Sequence, residues 1–229
     1  MLAQLIDEIP RFFSLYNVIF LLQALGITFA LSALGCGVGF VLGFAIAAVR
    51  LTSARWLAPV RFAITLATET FRRVPFLVTL MLVFFVFQAL MPGISTFTIA
   101  AVSVCLIATA YIAEIVRSGL ESVHRTQWDA ALTMNLSYWQ TLRMVIVPQA
   151  WRIILPPVFG FFVMFIKDTA LASQIGVMEL AFAGKTMANK GFSATLVYLT
   201  VMVMYFLLSY PLARFGKHLE ARLAPTRNP

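Results

Sequence analysis

The chain has 229 residues, of which 61% are AVILMFWYC and only 11% are charged, and its mean hydropathy is +0.92. Soluble domains run about 45–50% apolar and about 25% charged, so a water-facing monomer is excluded. The net charge of +8, from 17 basic and 9 acidic residues, reads as the Lys/Arg surplus that holds loops in the cytoplasm, not as a nucleic-acid surface.

The amino terminus mixes Asp7, Glu8 and Arg11 and leads into an apolar run longer than a signal core, so it reads as retained rather than cleaved. Residues 1–16 form a short extracytoplasmic segment. A first crossing is predicted over residues 17–49, where Gly35, Gly39, Gly43 and Ala47 recur every four residues and offer one small-residue face to a neighbouring helix. A short loop with Arg50, Arg55 and Arg61 follows. Residues 57–91 are apolar but interrupted by Glu69, Arg72, Arg73 and Pro75. Read as one crossing kinked near Pro75, they leave all three basic segments, 50–61, 117–152 and 214–227, on one side, as the positive-inside rule requires. Further crossings are predicted at 97–116, 148–167 and 192–213. The fold class is therefore all-α membrane with five transmembrane helices, amino terminus outside and carboxyl terminus in the cytoplasm. A membrane domain spans 17–216, with its cytoplasmic loop at 118–147, and a cytoplasmic tail, 217–229, whose last six residues read as irregular. Residues 168–190 carry Asp168, Glu179, Lys185 and Lys190 amid apolar neighbours and are expected to dip back into the protein from outside. Cys36 and Cys105 are too few for a disulfide framework or a zinc site, and no metal site is expected.

The cytoplasmic loop has helical patterning and two start signals. Thr126 with Asp129 resembles one capping arrangement, Ser137 with Gln140 another, and Asn135 sits where a first short helix would stop in the left-handed conformation. Two short helices joined by a tight turn are predicted, with Ala130, Ala131 and Met134 on one apolar face and Trp139, Leu142 and Ile146 on the other. A helix lying on lipid headgroups usually carries several basic residues, and residues 126–140 contain none. That favours a protein partner.

These residues resemble a known signature. Gln127-Trp128-Asp129-Ala130-Ala131-Leu132-Thr133-Met134-Asn135, followed by Val145-Ile146-Val147-Pro148, is similar in spacing to the EAA motif of ABC importer membrane subunits, E-A-A, three residues, G, nine residues, I-x-L-P. Asp129 stands for Glu, Asn135 for Gly, and Val145 and Val147 for Ile and Leu. The segments 69–77, 111–119 and 165–171 resemble further motifs of the polar amino acid branch, from which Arg73 and Ala170 depart by replacing Gly and Ser. The likeness covers about residues 18–215. It implies a type I importer fold and a pore-forming subunit paired with a second copy or a paralogue. A coupling-helix loop would dock on a separate ABC ATPase subunit through Gln127, Asp129, Ala130, Ala131, Asn135 and Ser137, and a solute-binding protein would deliver the amino acid outside. The chain has no G-x-x-x-x-G-K-[ST] loop, so ATP and magnesium belong to the partner and no cofactor or catalytic residue is expected here. The implied location is the bacterial inner membrane, in contact with lipid.

A charge near mid-membrane costs about 2.5–3.5 kcal/mol on insertion scales, so such residues face partners or water. Glu69 can neutralise Arg72 or Arg73 within its own helix, which leaves one cation over. Lys167 and Asp168 are adjacent and cannot share a helix face. Both signs beside helix breaks suit a zwitterion: Arg72 and Lys167 for its carboxylate, Asp168 or Glu114 for its ammonium, and Thr169 as a hydroxyl ligand. Glu114 has Arg117 one turn away as its alternative partner. The rival from another class is a stand-alone ion-coupled carrier with Glu114 or Asp168 as its proton site.

Overall fold

A computed structural model describes residues 8–223, and every regular element among them is helical. The helices are α1 (Leu15–Leu51), α2 (Ala58–Arg73), α3 (Phe76–Leu90), α4 (Thr96–Glu121), α5 (Arg125–Thr133), α6 (Tyr138–Thr141), α7 (Val147–Asp168), α8 (Leu180–Asn189) and α9 (Ala194–Leu223). A π-turn, Leu142–Ile146, joins α6 to α7, and a 3₁₀ segment, Thr169–Ile175, follows α7. The predicted properties of residues 1–7 and 224–229 lie outside the described residues.

Four helical stretches are long and apolar enough to cross a membrane: Leu15–Leu51, Thr96–Glu121, Tyr138–Ile175 and Ala194–Leu223. The pair Arg55–Arg73 and Phe76–Leu90 brings the count to five if it is taken as one span. The sequence predicts a kink there, and the structure has a break in the helix between Arg73 and Phe76. Pro75 has no N–H and disfavours the helical region for the residue before it. Val74 accordingly turns extended, at φ −85° and ψ 136°, while its N–H still closes on the Thr70 carbonyl.

The residues pack as two units. Among the described residues, one comprises 8–34, Phe76–Val104 and Val163–Leu212. It holds two apolar clusters. Phe12, Leu21, Leu180, Met187 and Val197 form one, and Leu31, Leu80, Ile99, Ala172 and Ile175 the other. The second unit comprises Gly35–Pro75, Cys105–Phe162 and 213–223. Here the predicted small-residue face of α1 is realised. A Cβ on Gly39 would stand 2.8 Å from the Ala108 side chain, and one on Gly43 would stand 2.8 Å from the Ala113 backbone nitrogen. Gly119 likewise gives way to the Ile154 side chain of α7. Helix backbones approach this closely only where no side chain intervenes.

Candidate functional site

The coupling loop lies in the second unit and has the predicted turn. Asn135 is the one non-glycine residue with positive φ among the described residues, at 56°. The Asn135 N–H closes on Leu132 and the Leu136 N–H on Ala131, which ends α5. Ser137 and Gln140 form the reciprocal capping box: the Gln140 N–H donates to Ser137 Oγ and the Ser137 N–H to Gln140 Oε1. The first start signal is different from the prediction. The helix begins two residues earlier, at Arg125, and His124 caps it by accepting the Thr126 N–H at its ring Nδ1. No Thr126–Asp129 box forms, because Thr126 is already inside the helix.

The second predicted short helix is also corrected: α6 runs through the π-turn directly into α7, so this half of the loop is the leading end of a long span. Pro148 cannot donate to the Met144 carbonyl, and the widened turn, in which the Val147 N–H reaches Leu142, accommodates it. The apolar faces divide differently as well. Ala131, Leu142 and Ile146 are buried, whereas Leu132, Met134 and Trp139 are 66%, 72% and 61% exposed. Of the predicted docking residues, Gln127, Asp129, Ala130, Asn135 and Ser137 are exposed and Ala131 faces inward. A cavity of about 740 Å³ flanks the loop, and Arg125, Trp128, Asp129 and Thr141 are in its wall.

A row of charges lies in the same unit. Glu69 takes both of its helical neighbours, Arg72 at 3.0 Å and Arg73 at 3.0 Å. Glu114 takes Arg117 at 2.5 Å, as the spacing allows, and also Arg50 of α1 at 3.1 Å. Arg72 stands 3.7 Å from Glu114, and Arg117 holds Glu121 at 2.5 Å. Four arginines thus share three glutamates. Arg72 is further fixed by Tyr111, whose hydroxyl donates to the Arg72 carbonyl at 3.1 Å and whose ring lies 6.0 Å below its guanidinium. Nε of Arg72 is buried and has no hydrogen-bond partner.

Lys167, Asp168 and Thr169 belong to the other unit. Lys167 is exposed, Asp168 half-buried, and neither makes an ion pair among the described residues. Thr169 is fully buried, and its hydroxyl donates to the Ile166 carbonyl at 2.8 Å, with Ser32 at 3.4 Å. Within its unit the structure therefore brings Arg72 and Glu114 together, and it pairs neither with 167–169.

Two residues with no predicted capping role, Glu179 and Thr28, organise the segment after α7. Glu179 is 0% exposed and caps α8, accepting N–H bonds from Ala181 at 2.9 Å and Phe182 at 2.8 Å and the Tyr205 hydroxyl at 2.9 Å. Thr28 of α1 accepts the Leu180 N–H at 3.0 Å. Glutamate is outside the usual set of N-cap residues, and a threonine inside an apolar run carries no signal, so neither pattern stood out. Arg50 escaped notice because its partner is 64 residues away.

An all-α polytopic protein with a capped helical lever between two spans and a row of charges in its helices has the architecture of a transport subunit. The comparisons make the class definite. The probable amino-acid ABC transporter permease YckA of Bacillus subtilis (strain 168) is 34% identical over 205 residues, covering 90% of this chain and 89% of its own. The glutamine transport system permease GlnP of Escherichia coli (strain K12) is 33% identical, covering 89% and 92%. Among solved structures, an amino acid ABC transporter crystallised with histidines superposes with a TM-score of 0.82 at 25% identity, over 90% of this chain and 95% of that one. The inward-facing MetNI methionine transporter gives 0.79 at 21% identity over 93% and 100%, which shows the fold alone. Residues 39–225 match the family described as binding-protein-dependent transport system inner membrane component, and the chain belongs to that family. It is a multi-pass permease subunit of an ABC importer, with the EAA motif and coupling helix typical of such subunits, and nothing in these comparisons favours a stand-alone carrier.

Proposed function

We propose that the chain forms half of a pathway for a polar amino acid, working by alternating access. A separate ATPase hydrolyses ATP with magnesium and docks on 125–147 through Gln127, Asp129, Ala130, Asn135 and Ser137, with Ala131 as the buried support beneath them. A second permease copy or a paralogue completes the pathway, and a solute-binding protein delivers the substrate outside. The amino terminus is outside and the carboxyl terminus in the cytoplasm, with 1–16 and 217–229 as the flanking segments of the 17–216 domain. Closure of the ATPases moves the loop and, because α6 continues into α7, pulls directly on a span.

The observation that carries the substrate reading is the charge row. It has one cation more than it has carboxylates, and Arg72 has an N–H without a partner. A substrate carboxylate supplies both the missing charge and the missing acceptor. Lys167, Asp168 and Thr169 offer the second group of contacts, and the names of the relatives, which include permeases for glutamine and L-cystine, support an amino acid as cargo. Asp129→Arg tests the docking half. Uptake that depends on ATP is expected to vanish while the protein still inserts and still binds the solute-binding protein, whereas uptake at the unsubstituted rate would refute docking at this face.

A further inference from the structure

Glu114 is surrounded by more cations than one carboxylate can satisfy. Arg117 grips both its oxygens, Nη2 to Oε1 at 2.5 Å and Nε to Oε2 at 3.1 Å. Arg50 donates to the same Oε2 at 3.1 Å, and Arg72 waits 3.7 Å from it. Two of the three arginines hold an alternative: Arg72 is also on Glu69 at 3.0 Å and Arg117 on Glu121 at 2.5 Å. Glu114, Arg117 and Glu121 follow one another at helical spacing on one face of α4, while Arg50 comes from α1 and Arg72 from α2.

Side-chain exposure falls along this row from 47% at Glu121 through 25% at Arg117 to 20% at Glu114 and 10% at Arg50. Glu121 is the last residue of α4, and only residues 122–124 separate it from α5. One end of the row is therefore at the coupling loop and the other at the Arg50 side chain, which is 10% exposed. Breaking an ion pair in such surroundings is costly because it leaves a charge uncompensated. Exchanging one carboxylate for another leaves none, so partner exchange is the low-cost motion of this row.

We propose that Glu114 is a positioning residue that sets whether Arg72 is available to substrate, and that Glu121 and Arg117 carry the state of the coupling loop to it. With Arg117 clamped on Glu114, Arg72 is left to Glu69 and to the substrate carboxylate. When the loop draws Glu121 and Arg117 away, Glu114 takes Arg72 and the carboxylate loses its partner. This rests on the reading of Arg72 as the group that holds that carboxylate.

The test is made on the complete transporter in vesicles, with ATPase, companion permease and solute-binding protein present. The probe is whichever labelled amino acid the unsubstituted transporter accumulates from a mixture of the protein amino acids with cystine. Arg117→Gln frees Glu114 to capture Arg72, and KM is expected to rise about tenfold, within the usual range of coupling between sites. Glu114→Gln leaves Arg72 unopposed, and KM is expected to fall together with the maximal rate. The double variant should follow Glu114→Gln in KM. A purely structural role would move both single variants in the same direction, and that result, or no shift in either, overturns the proposal. If Glu114→Gln does not insert, Glu121→Gln decides: unchanged or lower KM with fewer molecules moved per ATP supports the relay, and a raised KM overturns it. Arg72→Ala separates the two readings. If its KM is unchanged, the substrate reading of Arg72 fails; if its KM rises while the opposite signs do not appear, the relay alone fails.

Discussion

The protein handles buried charge in two ways. Around Glu114 the carboxylate is held by three arginines, two of which, Arg72 and Arg117, have a second choice, and the side chains are 10–30% exposed from Arg50 to Arg72. Around Glu179 the carboxylate is fully buried and held by two backbone N–H groups and the Tyr205 hydroxyl, none of them charged. Backbone donors at a helix start cannot move without unwinding the helix, whereas guanidinium groups on long side chains can change partners. The contrast separates a fixed joint, which ties α8 to α1 and α9, from a region able to rearrange during a transport cycle.

The largest effect that would break this contrast lies at the fixed joint. Glu179→Ala strips the acceptor from three part-buried donors, each worth up to about 1–3 kcal/mol when left unsatisfied, and loss of folded protein is expected in detergent melting. Glu179→Gln keeps one acceptor oxygen and should retain fold and uptake in part. A melting temperature unchanged in the alanine variant would show that the joint is not fixed by these bonds. Next in size is Gly43→Leu, whose side chain would enter a space where even a Cβ lies 2.8 Å from the Ala113 nitrogen. Overpacking costs typically about 1–3 kcal/mol, and a lower melting temperature with no change in substrate preference is expected. The smallest effect is at the loop: Asn135→Gly should be neutral or slightly stabilising, and Asn135→Val should cost about 1–2 kcal/mol because φ is positive there. Equal thermal stability of the two variants would remove the left-handed turn from the account of the lever.

The fold class, the helix order, the Gly39–Gly43 crossing and the Ser137–Gln140 box were legible in the sequence because each depends on spacing within one helix or one turn. The Glu69–Arg72–Arg73 group was legible for the same reason. What escaped depends on contacts between distant segments or on a choice among local signals. His124 displaced Thr126 as the cap, a competition that spacing does not decide. The continuity of α6 with α7 depends on the π-turn that absorbs Pro148, where the sequence rule for proline argues for a helix start. Arg50 and Tyr205 act through partners 64 and 26 residues away, beyond any periodic pattern. The break after Arg73 was legible in place, at Pro75.

The central claim is that this chain is driven, and that the drive enters through residues 125–147. The most direct measurement is concentrative uptake of the labelled amino acid into vesicles by the complete transporter, with the nucleotide site of the ATPase inactivated and an imposed proton gradient as the only remaining energy source. No accumulation is expected, although the subunits stay assembled. Accumulation that follows the proton gradient under those conditions would contradict the claim and make the chain a carrier that powers itself.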